Sequence, residues 1–384
     1  MDRINEFLSE RKNSGLLRNL KPASLRGGGN IRIEGRDYLD FSSNDYLGLS
    51  THPKLKNAAT IALEHFGPGA GASRLLSGDL DIHHELEEKT ALLKGKDCAL
   101  VFNSGYQANV GLLSALYHRG DVIFSDRLNH ASIIDGVALS GARLCRFRHN
   151  DMEHLRYLLE QERHKFKEAL IITETIFSMD GDRAPLSDLV NLKESFNCFL
   201  MVDEAHATGI FGDTGGGVVE QDGLSEHVDL IMGTFSKALG SFGAYLACSS
   251  QVRDYLINSC RGFIYSTALP APVIAANIAS LGLLEEEPFR RKNLLSNAGF
   301  FRESLAIHGF DVKGCSQIIP VVTGTIEKAV DLSGKLRERG YWILPITPPT
   351  VAKGESRIRV SITYHHTKNV LRKLVSDFTE INNI

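Results

Sequence analysis

The stretch Cys198-Phe199-Leu200-Met201-Val202-Asp203-Glu204-Ala205-His206 decides how this chain is read. Five apolar residues in a row, bounded by polar ones, suit a strand covered on both faces. A carboxylate closes the run and an imidazole follows three residues later. The same grammar recurs on either side. Apolar runs at 99–102, 122–125, 144–147, 170–173, 230–233 and 244–247 join the one at 199–202. Between them lie segments such as 106–117 and 186–196, with apolar residues at i, i+3 and i+4. Continuous apolar strands alternating with amphipathic helices predict an α/β fold with a seven-stranded, mainly parallel sheet. Ligands of such a sheet sit beyond the carboxyl ends of its strands. The polar residues that follow each run therefore carry the functional information.

Read in order, those ends are Asn103-Ser104-Gly105-Tyr106, residues 126–130 ending in His130, residues 174–178 from Glu174 to Ser178, residues 203–206, and Thr234-Phe235-Ser236-Lys237. A lysine desolvated at a strand end has a lowered pKa and can form a Schiff base; a lysine at an arbitrary position is simply a surface residue. Asp203 caps a buried run, so its charge needs a cation or hydrogen bonds. A protonated pyridine nitrogen is one such partner, and a helix N-terminus is another. His130 and His206 suit stacking on a flat ligand or proton movement. Ser104-Gly105-Tyr106 opens a helix whose free N–H groups attract phosphate. Further on, Arg357-Ile358-Arg359-Val360-Ser361 alternates, which puts both arginines on one face of a strand. Arg359 there suits a carboxylate clamp, or else a solvent-facing edge strand.

Other chemistries are excluded. Asp203-Glu204-Ala205-His206 spells a helicase box, but no GxxxxGK[ST] phosphate loop exists upstream, and Lys94-Gly95-Lys96-Asp97 is no substitute. Lys+Arg at 43 against Asp+Glu at 46 leaves no globally basic footprint for nucleic acid. There is no GxSxG elbow. The histidine pairs at 83–84 and 365–366 lack the i, i+4 spacing of helical metal ligands, so no metal site is expected. The Gly67–Gly71 loop lacks the GxGxxG spacing of a dinucleotide site. Six scattered cysteines, no CxxC pair and no apolar run of 18 residues point to a cytoplasmic, reducing setting with no membrane span. The N-terminal residues carry both charge signs and lack the apolar core of a secretory signal. They predict a short amphipathic helix with Ile4, Phe7 and Leu8 on one face. The organisation expected is an arm and hairpin over 1–50, a large domain over 51–287, and a smaller C-terminal α/β domain over 288–384.

Taken together the motifs resemble a known family. SSNDYLGLS at 42–50, NSGYQAN at 103–109, DRLNHASIIDG at 126–136, FSMDGDRAPL at 177–186, VDEAHATGIFG at 202–212 and GTFSKALGSFG at 233–243 are similar to those of the α-oxoamine synthases. These are pyridoxal 5′-phosphate (PLP) enzymes of the aspartate-aminotransferase fold type. The likeness runs from about residue 3 to the C-terminus. It implies that Lys237 bonds the cofactor and that Asp203 pairs with its pyridine nitrogen. It implies further that His130 stacks on the ring and that His206 and Ser178 lie near the 3′-oxygen. Gly105, Tyr106 and Thr234 match phosphate contacts. Ser266 and Thr267 match a loop that reaches the phosphate of the other subunit of a homodimer. Arg18, Asn44, His130, Thr350 and Arg359 match substrate contacts, with Arg359 on the amino-acid carboxylate. The activity implied is condensation of L-alanine with a pimeloyl thioester, carried on CoA or on acyl-carrier protein, with loss of CO₂. Sister activities of the family are glycine C-acetyltransferase, 5-aminolevulinate synthase and serine palmitoyltransferase. Thr347 stands where the family likeness leads one to expect an arginine, which bears on the acyl chain accepted.

Overall fold

The computed structural model describes residues 1–14 and 16–382. Its centre is a seven-stranded sheet of β4 (Cys98–Phe102), β5 (Val122–Asp126), β6 (Arg143–Phe147), β7 (Ala169–Glu174), β8 (Phe199–Asp203), β9 (Leu230–Thr234) and β10 (Ala244–Cys248). These are the seven runs read from the sequence, each extended by one or two residues. Their spatial order is β4-β10-β9-β8-β7-β5-β6. All pairs are parallel except those of β10, which runs against both neighbours.

Alternate residues of each strand enter two separate cores. Val101, Phe124, Ile171, Leu200 and Ile231 face one; Leu100, Ile123, Leu170, Met201 and Leu230 face the other. A helix layer covers each face, which is why these strands read as unbroken apolar runs rather than alternating ones. On one face α4 (Gly105–Leu116) packs on α5 (Ala131–Ser140). The approach is close enough that a Cβ at Gly136 would stand 2.9 Å from the carbonyl oxygen of Asn109.

Two smaller sheets flank the large one. Residues 23–40 form an antiparallel meander of β1 (Ala23–Gly27), β2 (Asn30–Ile33) and β3 (Arg36–Asp40). β2 and β3 form the expected hairpin. Beyond the expected arm, β3 pairs in parallel with β12 (Tyr341–Trp342), so the first 50 residues share a sheet with the C-terminal segment. The third sheet comprises β11 (Ile318–Gly324), β13 (Pro345–Ile346) and β14 (Ser356–Ser361), with β14 in the middle. The edge-strand alternative for Arg359 therefore fails: every residue of β14 is buried. The amphipathic helix α1 (Asp2–Asn13) forms as read, but Ile4, Phe7 and Leu8 all lie exposed.

One buried ion pair holds the loop after β8. After α2 (Pro53–Phe66) comes the helix α3 (Asp81–Lys94), which Lys94 ends; Lys94 is 2% exposed and Glu204 is fully buried. Lys94 Nζ donates to Glu204 Oε2 at 2.7 Å, to Thr208 Oγ1 at 3.0 Å and to the carbonyl of Gly216. Glu204 Oε1 accepts from the Val219 amide at 3.0 Å. Removing one partner of such a pair leaves a bare buried charge. Lys94→Ala is expected to destabilise the protein by about 3–5 kcal/mol in denaturant unfolding, and Lys94→Met with Glu204→Leu to recover part of that loss.

Candidate active site

Five loops converge at the carboxyl ends of β4, β5, β7, β8 and β9. They line a pocket of about 170 Å³ with Gly105, Tyr106, Asn109, His130, Ser132, Glu174, Asp203, His206, Thr234 and Lys237. Of the residues read from the sequence, Lys237, Asp203, His130, His206, Gly105, Tyr106 and Thr234 thus meet in one cavity. Each arrives for a local reason. Asp203 and Thr234 are the last residues of their strands. Gly105 is the first residue of α4, capped by Ser104, whose Oγ accepts the Gln107 amide at 3.2 Å. His130 caps α5, its ring accepting the Ser132 amide.

The floor of the pocket is negative and well solvated by the protein. Asp203 Oδ1 accepts the Ala205 amide at 2.9 Å, and Oδ2 accepts the Asn109 side-chain amide at 3.0 Å. Each carboxylate oxygen thus meets one donor, as a buried carboxylate requires. Lys237 Nζ lies 2.9 Å from His206 Nε2. Burial lowers the Lys237 amine to about 8, opposed first by Asp203 and then by the Glu174 carboxyl, with Arg359 adding to the drop. Burial also pushes His206 well below its ordinary value, so its ring is neutral. His206 Nδ1 is 2.8 Å from Tyr46 Oη, which itself donates to Asn44 Oδ1 at 3.0 Å. That network assigns the Nδ1–H tautomer, leaving the Nε2 lone pair for a Lys237 N–H. His130 is likewise held below its ordinary value, chiefly by desolvation.

Of the substrate-contact candidates, Arg359 and Asn44 join this pocket through Tyr46, which meets His206. Arg359, 8% exposed, donates through Nε to the Ser178 carbonyl at 2.6 Å and through Nη1 to Ser361 Oγ at 2.6 Å. Its remaining contacts, to Asn44 Oδ1 at 3.3 and 3.4 Å and to Tyr46 Oη at 3.3 Å, are long enough to yield to a carboxylate. Arg18 Nη2 donates to Thr350 Oγ1 at 3.3 Å, so a cation stands by the turn that holds the uncharged Thr347. Ser266 and Thr267 do not line the Lys237 pocket. Ser266 Oγ accepts from Gln107 Nε2 at 2.6 Å, and the Thr267 carbonyl accepts from Asn103 Nδ2 at 2.9 Å. Sequence reading passed over Asn109, Ser132 and Tyr46, and named Glu174 as a strand end without giving it a role. Glu174 closes its apolar run as Asp203 does, and that likeness is the signal for one. Asn109 and Tyr46 lie within quoted motifs, yet only their burial reveals them.

The chain matches the family model "Aminotransferase class I and II" over residues 36–378. It is 45% identical over 384 residues to the 8-amino-7-oxononanoate synthase of Geotalea daltonii, covering 99% of this chain and 98% of that one. Against the enzyme of the same name from Geobacter sulfurreducens it is 46% identical over 377 residues, with 97% and 96% covered. Its structure superposes on a serine palmitoyltransferase from S. paucimobilis holding a PLP–myriocin adduct, with TM-score 0.94 and 30% identity, covering 100% and 97% of the two chains. An 8-amino-7-oxononanoate synthase from Francisella tularensis gives TM-score 0.79 and 28% identity, with 90% and 98% covered. The chain belongs to the class I and II aminotransferase family of PLP enzymes. Within that family it belongs with the 8-amino-7-oxononanoate synthases.

The pocket fits PLP on its own terms. Thr234 Oγ1 is buried and finds no partner among the described residues. It lies at the open N-terminus of the 12-residue α4, where free amides meet a phosphate. A Cβ at position 105 would come 2.9 Å from Thr234 Cγ2, so glycine keeps this cradle open. Lys237 captures an aldehyde only as the neutral amine. The rate of PLP uptake by the cofactor-free protein is therefore expected to rise through about pH 8 and level off above it, as read by stopped-flow absorbance. Lys237→Ala should abolish that phase.

Proposed function

We propose that this enzyme condenses L-alanine with a pimeloyl thioester to give 8-amino-7-oxononanoate, CO₂ and the free thiol, a step of biotin synthesis. The observation that carries the reading is the neutral-prone Lys237 amine held 2.9 Å from His206, in the same pocket as the doubly hydrogen-bonded Asp203. PLP, when bound, supplies an electron sink for the carbanion left at an amino acid's Cα.

The chain's own residues do the rest. Asp203 would hold the ring nitrogen protonated, which would place a full positive charge where electrons must flow. Thr234 and the α4 N-terminus at Gly105 and Tyr106 hold the phosphate. His130 would stack on the cofactor ring, and Ser178 and His206 would serve its 3′-oxygen. Arg359 receives the alanine carboxylate and, with Asn44, sets which Cα bond stands over Lys237. Lys237 Nζ, poised near pH 8, takes the Cα proton. His130 then polarises the acyl carbonyl as the new carbon–carbon bond forms and the thiolate leaves; the resulting β-keto acid sheds its carboxylate as CO₂, and the proton on Lys237 Nζ returns to Cα. Arg18 and Thr350 meet the acyl substrate.

We read the active unit as a homodimer acting in the cytoplasm. In one chain Ser266 and Thr267 lie outside the Lys237 pocket, which accords with their serving a partner's phosphate. Leu76, Phe242 and Tyr265 lie exposed and offer apolar surface to such a partner. Among the described residues no helix is long and apolar enough to cross a membrane.

The test is an absorbance titration of the PLP-loaded enzyme with L-alanine, glycine or L-serine, each followed by pimeloyl-CoA. A spectral response selective for alanine, with thiol release on acyl addition, supports the proposal. Selectivity for glycine or serine would move the protein to a sister activity with the same Lys237 chemistry. Lys237→Ala is expected to end turnover while leaving the circular dichroism spectrum unchanged. Asp203→Asn should lower kcat at least about a hundredfold, because the ring nitrogen loses its anion.

A further inference from the structure

Glu174 is a second carboxyl in the pocket, and the mechanism above does not use it. It closes β7 directly beside Asp203 at the end of β8, the two being register partners in parallel strands. Side chains of register partners lie on the same face of a sheet. Glu174 is 3% exposed and lines the cavity that holds Lys237.

The two carboxyls are served very differently. Asp203 has a donor on each oxygen. Glu174 Oε2 accepts the Ser178 amide at 3.2 Å, but Oε1 is buried with no partner among the described residues. Two neighbouring carboxylates with a single nearby amine cannot both stay ionised in a desolvated site. The proton goes to the one with fewer donors. Burial first, then the charge of Asp203, raises Glu174 to about 8, against the opposing pull of Lys237.

We propose that Glu174 is a further cofactor-binding residue, a neutral acid whose Oε1–H donates to an aromatic hydroxyl oxygen of the ligand in the Lys237 pocket. The inference rests on the PLP reading above. The Ser178 amide on Oε2 puts Glu174 next to the segment assigned to the ring's 3′-oxygen. Donation there leaves Asp203 as the pocket's only carboxylate anion, so negative charge stays at the ring nitrogen and is kept away from the opposite edge of the ring.

The test uses PLP-loaded protein and reads spectra. The groups facing Glu174 are Asp203, Lys237 and His130, and all stay in place in each variant. Infrared difference spectra between loaded and cofactor-free protein at pH 7 should show a protonated-carboxyl stretch that Glu174→Gln removes. The pH midpoint of the PLP absorbance band should move by less than about 0.3 unit in Glu174→Gln, since an amide keeps both neutrality and a donor. Glu174→Leu should lose the donor, shift that midpoint by about one unit and release PLP about tenfold more readily on dialysis. The proposal is overturned if Glu174→Gln lowers the midpoint by more than about a unit, for that would mark Glu174 as an anion supporting a cation at Lys237. It is equally overturned if the carboxyl stretch is missing from the wild type, a readout that holds even if Glu174→Leu fails to fold. Wild-type protein with no PLP band at all would sink the function reading and this one together. A normal wild-type band with an unaltered Glu174→Leu would sink this one alone.

Discussion

A lysine ammonium and a glutamate carboxylate, both buried, cannot sit inside a protein unless every donor and acceptor around them is met. Lys94 and Glu204 satisfy that demand with groups from four places: the end of α3, the loop after β8, the glycine-rich turn at 215–217 and the Val219 amide. Thr208, which accepts from Lys94, also sits 2.7 Å from Tyr245 Oη on β10. The pair therefore ties the loop after β8 to β10, two strands away. That loop carries His206 into the pocket and follows directly on Asp203, the last residue of β8. Gly217 is held at φ 115°, and a Cβ there would run into the Glu204 carboxylate. The turn's glycine and the ion pair are consequences of one packing problem.

A second clasp joins the C-terminal sheet to the end of β7. Arg359 binds the carbonyl of Ser178, while Arg357, 3% exposed, binds Asp180 Oδ1 at 2.6 Å. Both arginines of β14 thus grip residues 178–180. At the same bend Gly181 passes so near the Ile318 carbonyl that a Cβ would be 2.1 Å from it. Arg359 and the segment that follows β7 consequently sit on one rigid frame. Catalysis gains from such preorganisation, because the donors need not move when charge develops. His149 braces the same region. It lies 3.0 Å from Asp126 and 2.7 Å from Asp182, and its hydrogen bonds to the two carboxylates overcome burial and raise it to about 9.

Local regularity made much of this legible. All seven central strands could be read from apolar runs, since a strand buried on both faces writes its burial into consecutive residues. Lys237, Asp203, His130, His206 and Thr234 could be read as well, because each falls within a few residues of such a run. Arg359 was harder. Its alternating strand looks like an exposed edge until β11 and β13 are seen to flank it. Tyr46 and Asn109 were illegible as site residues for a related reason. Nothing in their neighbours says that one meets His206 and the other Asp203.

By itself, then, the sequence determined the alternation of strands and helices and the chemistry stationed at each strand end. Those properties depend on contiguous residues, and side-chain periodicity records them directly. Tertiary structure alone decided the strand order, which sets Glu174 beside Asp203 and brings β9 with Lys237 next to them. It also decided which buried charges are paired, Lys94 with Glu204 across 110 residues of chain. Proton positions, and with them the lowered Lys237 amine, follow from desolvation and from neighbours far apart in sequence. Those are properties of the folded volume, and no local pattern encodes them.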